Sequence, residues 1–256
     1  MNTDQTLREA FHYSFLDRLL RISDPKLYVL KGGVNLRFFF HSPRYSEDMD
    51  LDVLGGSVST LTKNGFKILN DASFQRGLRT IGIESLEINN PEKAKQTPTT
   101  QRFRLRLVTP AGERLPTKIE FSRRKNSVKE VSMDYIDAEI ARRCRKVPFQ
   151  CQHYPGNVAI VQKIEALAGR TVTQARDVFD IGILHTSGYA LSRKLHTALS
   201  KQVTQQAREN LLTLTFEDYS NQVLEFIAAE DRTPYAGPRY WAELQEIVLR
   251  VLHDGS

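Results

Sequence analysis

The chain has 256 residues, of which 40% are hydrophobic and 26% charged, with a formal net charge of +6. This length permits one large domain or two small ones, each with a hydrophobic core. No stretch approaches the roughly 20 apolar residues that a membrane-spanning helix needs, so no membrane association is predicted. The polar N-terminus is typical of neither a signal peptide nor a transit peptide. Two cysteines, Cys144 and Cys151, match no disulfide or metal pattern, which favours a reducing cytoplasm.

The N-terminal half alternates between helix and strand signals. Hydrophobic periodicity predicts a helix over 5–22, a strand over 27–31, a helix from Val34, a strand over 48–54 and a helix from a Ser57 cap to about Asn70. A further strand is predicted within 80–88. Alternation over 102–108 and 114–121 predicts a hairpin, with Pro116 near a strand start or an edge.

After Tyr135 the strand signals fade and helix signals dominate. Helices are predicted over 136–145, 156–169, 173–186, 191–212, 216–229 and 238–253. The segment "PFQCQHYPG", residues 148–156, is predicted to be a linker. We therefore expect a mixed α/β domain over residues 1–150 and a helical domain over residues 151–256.

Basic residues are concentrated in the middle of the chain. From Arg102 to Lys146 there are 13 Lys/Arg against 6 Asp/Glu, an excess of +7, so the remainder of the chain nets −1. This concentration favours a polyanionic partner such as nucleic acid or a nucleoside triphosphate. A solvated cationic surface would give the same pattern, and charge alone does not separate the two.

Carboxylates occupy alternate positions in "SEDMDLDV", residues 46–53. On a strand, Ser46, Asp48, Asp50 and Asp52 share one face, and the apolar residues between them face a core. Carboxylates at i and i+2 lie roughly 6–7 Å apart at the backbone, so both can reach one hard cation or a bridged pair. Glu120, late in the hairpin, is the candidate third carboxylate. The pattern predicts a site for Mg²⁺, with Mn²⁺ as the alternative ion; acids that keep a sheet edge soluble would be the other explanation.

A Gly-Gly pair, Gly32 and Gly33, precedes this strand. Glycines let backbone amides approach a phosphate closely, and the helix N-terminus that follows adds a favourable dipole. Asp48 follows Gly33 by 15 positions, enough for one helix and a return strand. A phosphate cradle beside the acidic strand is therefore predicted, although a Gly-Gly turn alone is more often only a tight connection.

These motifs resemble the DNA polymerase β-type nucleotidyltransferase superfamily and, more narrowly, the AbiEii/AbiGii toxin family. Its members typically read KGG, a helix, then R-hydrophobic-S-x-D-hydrophobic-D, as in "LKGGVNLRFFF" and "RYSEDMDLDV". "VQKIEALAGRTVTQARDVFDIGIL", residues 161–184, is similar to the family's K-I-x-A-L…A-R-D block. The resemblance implies an α+β fold: a polymerase β-like domain with a mixed sheet flanked by helices, followed by a C-terminal helical bundle. The chain departs from the family in having Val34 where Thr or Ser commonly follows the glycines.

The helical block has a structural and a functional interpretation. Asp177 and Asp180 share one helix face, and Lys163 flanks an apolar stripe. An ion pair between Lys163 and Asp177 across two antiparallel helices would compensate the charge of the buried lysine. The resemblance implies that Lys163 and Asp177 help bind the nucleotide and are needed for activity. Arg176 and Asp180 would support them, and Arg170 could contact phosphate or be a solvated helix end.

The predicted site residues fall into three groups. Metal binding and catalysis are assigned to Asp48, Asp50 and Glu120, and catalysis also to Lys163 and Asp177. Nucleotide binding is assigned to Lys31, Gly32, Gly33, Arg37, Ser46, Lys163 and Arg176. Supporting roles are assigned to Asp52, Asp180 and Arg170, although Asp50 with Asp52 also fits the two-carboxylate pattern.

The resemblance also implies a biological role, the toxin component of a toxin–antitoxin or abortive-infection system. Such an enzyme would transfer a nucleotide from an NTP to an acceptor hydroxyl, expected to be the 3′ end of tRNA, and so block translation. A basic group near Glu120 would suit an RNA backbone: Arg102, Arg104, Arg106, Arg123, Arg124 and Lys125. The implied partner is a cognate antitoxin, often a winged-helix DNA-binding protein. A protein acceptor, or a catalytically silent nucleotide- or RNA-binding module, are the alternatives.

Overall fold

The computed structural model describes residues 3–89, 96–123, 130–192, 195 and 199–253. These residues separate into two compact units. The described parts of the first unit are residues 3–39, 45–89, 96–123 and 131–153. Those of the second are residues 40–44, 130, 154–192, 195 and 199–253. Arg124 and Lys125 of the predicted basic group lie outside the described residues.

The first unit is an α/β structure. Its elements are α1 (Asp4–Ile22), β1 (Tyr28–Lys31), α2 (Gly32–Phe39), β2 (Met49–Val53), α3 (Val58–Leu69), α4 (Ala72–Arg79), β3 (Ser85–Ile88), β4 (Gln96–Thr97), β5 (Thr100–Val108), β6 (Arg114–Ser122), β7 (Ser132–Tyr135), α5 (Ala138–Arg143) and β8 (Gln150–His153). A short 3₁₀ turn, Pro25–Leu27, precedes β1. The side chain of Ser57 accepts a hydrogen bond from the Thr60 amide, which confirms the predicted cap of α3.

The strands form one mixed sheet in the order β3-β5-β6-β2-β1-β8-β7, with β4 paired to β5. β2 runs parallel to β6 and β1 runs parallel to β8, and the other pairs are antiparallel. One face of the central strands is apolar because Leu30, Leu51 and Phe121 alternate with charged residues. This apolar face belongs to the core that includes α1 and α3, and the opposite face carries the charged residues.

The second unit is helical. It contains α6 (Gly156–Gly169), α7 (Ala175–Thr186), α8 (Lys201–Thr213), α9 (Phe216–Gln222) and α10 (Pro238–His253), with 3₁₀ turns at Leu224–Phe226, Ala229–Asp231 and Thr233–Tyr235. α7 packs against α6 and α10. A Cβ atom at Gly182 would clash with Leu244, so α7 and α10 approach closely there. Within the described residues, no helix combines the length and the apolarity needed to cross a membrane.

The mixed sheet and the helical second unit confirm the predicted fold class, but several local predictions failed. The segment predicted to be a linker contains β8. Buried Cys151 and His153 alternate there with Gln150 and Gln152, which is a strand pattern. The prediction missed this strand because these residue types give a weak strand signal. α4, β4 and β7 were not predicted. α9 ends at Gln222, before the predicted end at 229, and part of the helix predicted over 191–212 lies outside the described residues.

Candidate active site

Four charged residues form one row across the middle of the sheet. In the strand register, Lys31 lies opposite Asp50, Asp50 opposite Glu120, and Glu120 opposite Arg102. Side chains of directly paired residues project from the same face. The Arg102 Nε atom donates to Glu120 Oε2 at 2.7 Å. Two carboxylates therefore sit side by side at the centre of the row, with a basic residue at each end.

Asp48 adds a third carboxylate beside this row. It lies two residues before Asp50, and its carboxylate accepts hydrogen bonds from the Lys118 amide at 3.1 Å and from Lys118 Nζ at 2.7 Å. Burial raises the pKa of Asp50 above its ordinary value; Lys118 and Lys31 oppose this rise, whereas Glu120 and Asp48 add to it. The three predicted carboxylates are thus close enough to act on one another.

Asp52 has a different environment. Its side chain is buried, and Asp52 Oδ1 lies 2.6 Å from Lys31 Nζ. Asp48, Asp50 and Glu120 are all partly exposed. A ligand arriving from solvent can reach those three, whereas Asp52 is enclosed with its lysine. The geometry therefore favours Asp48 with Asp50 as the exposed pair.

Gly32 brings the start of α2 against Asp50. It has φ of +69°, and a Cβ atom built on it would lie 3.0 Å from Asp50 Oδ2. Both the backbone conformation and the close approach require glycine here. Val34, where the family commonly has a hydroxyl, is buried in the core. Its side chain therefore contributes packing and offers no hydroxyl to a ligand.

A hydrogen-bonded chain that the sequence did not reveal supports the segment carrying Asp48. His12 Nε2 lies 2.8 Å from Thr117 Oγ1, and Thr117 Oγ1 donates to the Glu47 carbonyl oxygen at 2.7 Å. Because the hydroxyl proton is committed to Glu47, His12 Nε2 must be the donor. Burial lowers the pKa of His12 to about 4, against an opposing effect of Asp48, so the ring is neutral. The polar His12 within the apolar face of α1 was the only sequence signal.

Two predicted nucleotide ligands are engaged inside the first unit. Ser46 Oγ donates to the Asp48 carbonyl oxygen at 2.8 Å, so this hydroxyl braces the turn before β2. Arg37 is buried, with Nε 2.6 Å from Glu9 Oε2 and its guanidinium 4.0 Å above the Tyr45 ring. Its charge is neutralised by Glu9, so nucleotide binding by Arg37 stays a prediction.

Lys163, Asp177 and Asp180 belong to a buried ion network within the second unit. Lys163 Nζ lies 3.1 Å from Asp177 Oδ1 and 2.7 Å from Asp180 Oδ2. Arg170 Nε lies 2.6 Å from Asp177 Oδ2, and Arg44 Nη2 lies 2.8 Å from Asp180 Oδ2. The ion pair predicted between Lys163 and Asp177 is thus present, joining α6 to α7.

The electrostatics of this network depend on its cations. Burial acts to raise the pKa of Asp177, but Lys163 and Arg170 outweigh it and hold that pKa below its ordinary value. Arg176 is half-buried and makes no hydrogen bond or ion pair with the described residues. The network satisfies two aspartates that have no exposure to solvent.

The carboxylates of the first unit fit a hard divalent cation by chemistry rather than by present geometry. Oxygen ligands are those that Mg²⁺ prefers, and Asp50 and Glu120 lie opposite one another in register with Asp48 two residues before Asp50. Lys118 and Arg102 now hold Asp48 and Glu120. Across the described ranges, no three His, Cys, Asp or Glu side chains converge as a ready metal site.

A mixed sheet with alternating aspartates beside a glycine-led helix start defines the class of protein, a nucleotidyltransferase. The chain matches the profile of the nucleotidyl transferase AbiEii toxin family, type IV toxin–antitoxin system, over residues 14–246. It belongs to this family of nucleotidyltransferase toxins, which implies an antitoxin partner and an NTP substrate.

Solved structures show the same fold. JHP933 from Helicobacter pylori aligns with a TM-score of 0.55 at 18% identity, covering 100% of this chain and 95% of that one. MenT4, a nucleotidyltransferase toxin from Mycobacterium tuberculosis, aligns with a TM-score of 0.61 at 16% identity, covering 98% of this chain and 84% of that one. Comparison with curated proteins by sequence gives no match.

Proposed function

We propose that this protein transfers a nucleoside monophosphate from an NTP to the 3′-terminal hydroxyl of tRNA, in a reaction that depends on Mg²⁺. The observation that carries this proposal is the group of Asp48, Asp50 and Glu120 on one sheet face, beside the glycine-led start of α2. Addition of nucleotides to this end would prevent aminoacylation and arrest growth. Such substrates place the protein in the cytoplasm.

The nucleotide would bind on the β1 side of the carboxylates. The amides at Gly32 and Gly33 begin α2, where the helix dipole and unpaired N–H groups favour phosphate oxygens. Lys31, opposite Asp50 and paired with Asp52, is the cation on that side. The chain belongs to a nucleotidyltransferase family, which implies an NTP substrate and supports a triphosphate rather than a free phosphate as the ligand.

Asp48 and Asp50 would hold Mg²⁺, with Glu120 as the third oxygen ligand. Bound there, the ion would stabilise negative charge on the phosphate oxygens and ease deprotonation of the acceptor. The acceptor hydroxyl gives its proton to Glu120 and its oxygen attacks the α-phosphorus. The bond from that phosphorus to the bridging oxygen breaks, and pyrophosphate leaves. Arg102 orients Glu120 for this step through its hydrogen bond.

Lys163 and Asp177 enter this proposal through the family resemblance. We propose that both are required for activity, Lys163 in nucleotide binding and Asp177 by holding that lysine. Asp180, Arg170 and Arg176 would support them. A variant such as Lys163→Met that stays folded should show a raised KM for NTP.

The test incubates the protein with total RNA, Mg²⁺ and each labelled NTP in turn, with Asp50→Asn as the inactive control. We expect label at the 3′ ends of tRNAs only with the wild-type protein, and release of one pyrophosphate per nucleotide added. Label on protein instead of tRNA would show that the acceptor is a hydroxyl side chain of a protein. Triphosphate binding without pyrophosphate release would identify a silent binding module and refute the proposed reaction.

A growth assay tests the antitoxin partner. We propose that the cognate antitoxin is a winged-helix DNA-binding protein, as the family resemblance implies. Expression of the toxin alone should arrest growth, and co-expression of the antitoxin should restore it. Persistent growth with an active toxin present would contradict the toxin role.

A further inference from the structure

The β5–β6 hairpin carries arginines on the same face as the carboxylates. Arg102, Arg104 and Arg106 alternate along β5, and in register Arg104 lies opposite Lys118 and Arg106 opposite Pro116. Arg102 is engaged with Glu120, and Arg106 Nη1 lies 3.7 Å from Glu87 Oε2. The Arg104 side chain is exposed and forms no hydrogen bond or ion pair with any residue that the structure describes. Among those residues, one guanidinium beside the candidate active site is therefore unpaired.

An open cavity of about 260 Å³ lies where these side chains meet Asp48. We call it the arginine cavity; its polar lining is Glu47, Asp48, Asn89, Arg104, Arg106, Thr117 and Lys118. Lys118 already neutralises Asp48 at 2.7 Å, which leaves Arg104 and Arg106 against Glu47, an excess of one positive charge in the lining. Arg106 is also partly paired with Glu87 outside the lining. The cavity therefore favours an anion.

The strand order separates this cavity from the glycine-led helix. From β2, which carries Asp50, the sheet continues to β1 and α2 on one side and to β6 and β5 on the other. Gly32 lies on the first side and Arg104 on the second. In-line transfer needs the nucleotide and the acceptor to approach the reacting phosphorus from different directions. The cavity thus lies on the side left to the acceptor.

We propose that the arginine cavity binds a backbone phosphate of the polynucleotide acceptor, with Arg104 as its principal contact. This inference rests on the proposed function and deepens it, because it assigns the acceptor to nucleic acid through a site of its own. A planar guanidinium binds phosphate through two parallel N–H donors, and the side-chain amide of Asn89 is a further donor in the lining. Arginines at i and i+2 are about 6.6 Å apart along the strand, so Arg106 can follow the same backbone.

Binding without catalysis tests this site. A fluorescent RNA stem-loop with a single-stranded 3′ end is titrated with the protein in the absence of NTP and Mg²⁺. Arg104→Gln is compared with Arg76→Gln, because Arg76 is also exposed and without a partner among the described residues, but lies on α4. We expect Arg104→Gln to weaken binding about tenfold and to reduce the slope of log K against log salt by about 0.7. Arg76→Gln should change neither.

Kinetics distinguish the acceptor from the triphosphate as the source of the phosphate. Arg104→Gln should raise the KM for RNA while leaving kcat and the KM for NTP unchanged. A raised KM for NTP with unchanged RNA affinity would overturn the inference, as would equal RNA affinity in all three proteins. If wild-type protein transfers nucleotide only to a protein acceptor, the RNA site is refuted while the transferase activity stands. Absence of any transfer alongside an Arg104-dependent RNA complex would refute the proposed reaction alone.

Discussion

Replacing each aspartate of β2 and its preceding turn by asparagine tests which pair forms the reactive site. We expect Asp48→Asn and Asp50→Asn to lower kcat on the order of a thousandfold, because each removes charge from the group that faces the substrate. Asp52→Asn should retain most activity, since its carboxylate is enclosed with Lys31. Each variant replaces one carboxylate by an amide of similar size, so differences in activity among the three variants report the position of the aspartate alone.

Stability should change in the opposite order to activity: the active variant Asp52→Asn should be destabilised and the inactive variant Asp50→Asn stabilised. Asp52→Asn removes a buried partner 2.6 Å from Lys31 Nζ and should lower the free energy of unfolding by about 2 kcal/mol, less than for a fully buried pair because Lys31 is partly exposed. Asp50→Asn should raise the free energy of unfolding at pH 7. The folded protein binds the Asp50 proton more tightly than the unfolded chain, so this group's stabilisation is full below 3.8 and is lost as pH rises through the raised pKa.

Urea denaturation followed by fluorescence, at pH 5 and pH 7, measures both effects beside steady-state transfer kinetics. The gain for Asp50→Asn should be larger at pH 7 than at pH 5. If Asp52→Asn is inactive while Asp48→Asn is fully active, the reactive pair is Asp50 with Asp52. A loss of stability in Asp50→Asn at pH 7 would refute the electrostatic reasoning.

Three further outcomes are expected. Lys163→Met should lower the free energy of unfolding by about 3–5 kcal/mol in urea denaturation, because it leaves two buried carboxylates short of a cation; a loss below about 1 kcal/mol would contradict the role of the network. Burial lowers the pKa of His12 from 6.5 to about 4, so stabilisation present above pH 6.5 is lost as pH falls through this window, by about 3 kcal/mol. The variant His12→Gln should lose correspondingly less stability between pH 7 and pH 4, and an unchanged loss would count against a buried neutral ring. Gly32→Ala should cost about 1–2 kcal/mol and raise the KM for NTP, since its Cβ would press on Asp50. Gly112→Ala is the matched control, with φ of +82° and nothing within 4 Å of its Cβ; it should cost similar stability without changing KM.

Local sequence signals determined much of the first unit. The period-2 alternation over residues 102–108 and 114–121 gave the hairpin, and Ser57 gave the start of α3. Such signals work where one face is buried and the propensity agrees with the pattern. They failed at β8 and at its neighbour β7, because the two short strands are written in polar residues that carry a weak strand signal, and β8 joins the sheet through β1, over a hundred positions earlier in the chain.

The sequence by itself determined that Asp48, Asp50 and Asp52 share a face beside a Gly-Gly helix start, because strand alternation is a local property of the backbone. Only the tertiary structure decided that Asp50 stands between Lys31 and Glu120, and that Asp52 is enclosed with that lysine. Register between distant strands depends on which residues the whole core accepts, and no local pattern contains it. The same long-range packing pairs Arg37 with Glu9 and places His12 in the hydrogen-bonded chain that supports the segment carrying Asp48.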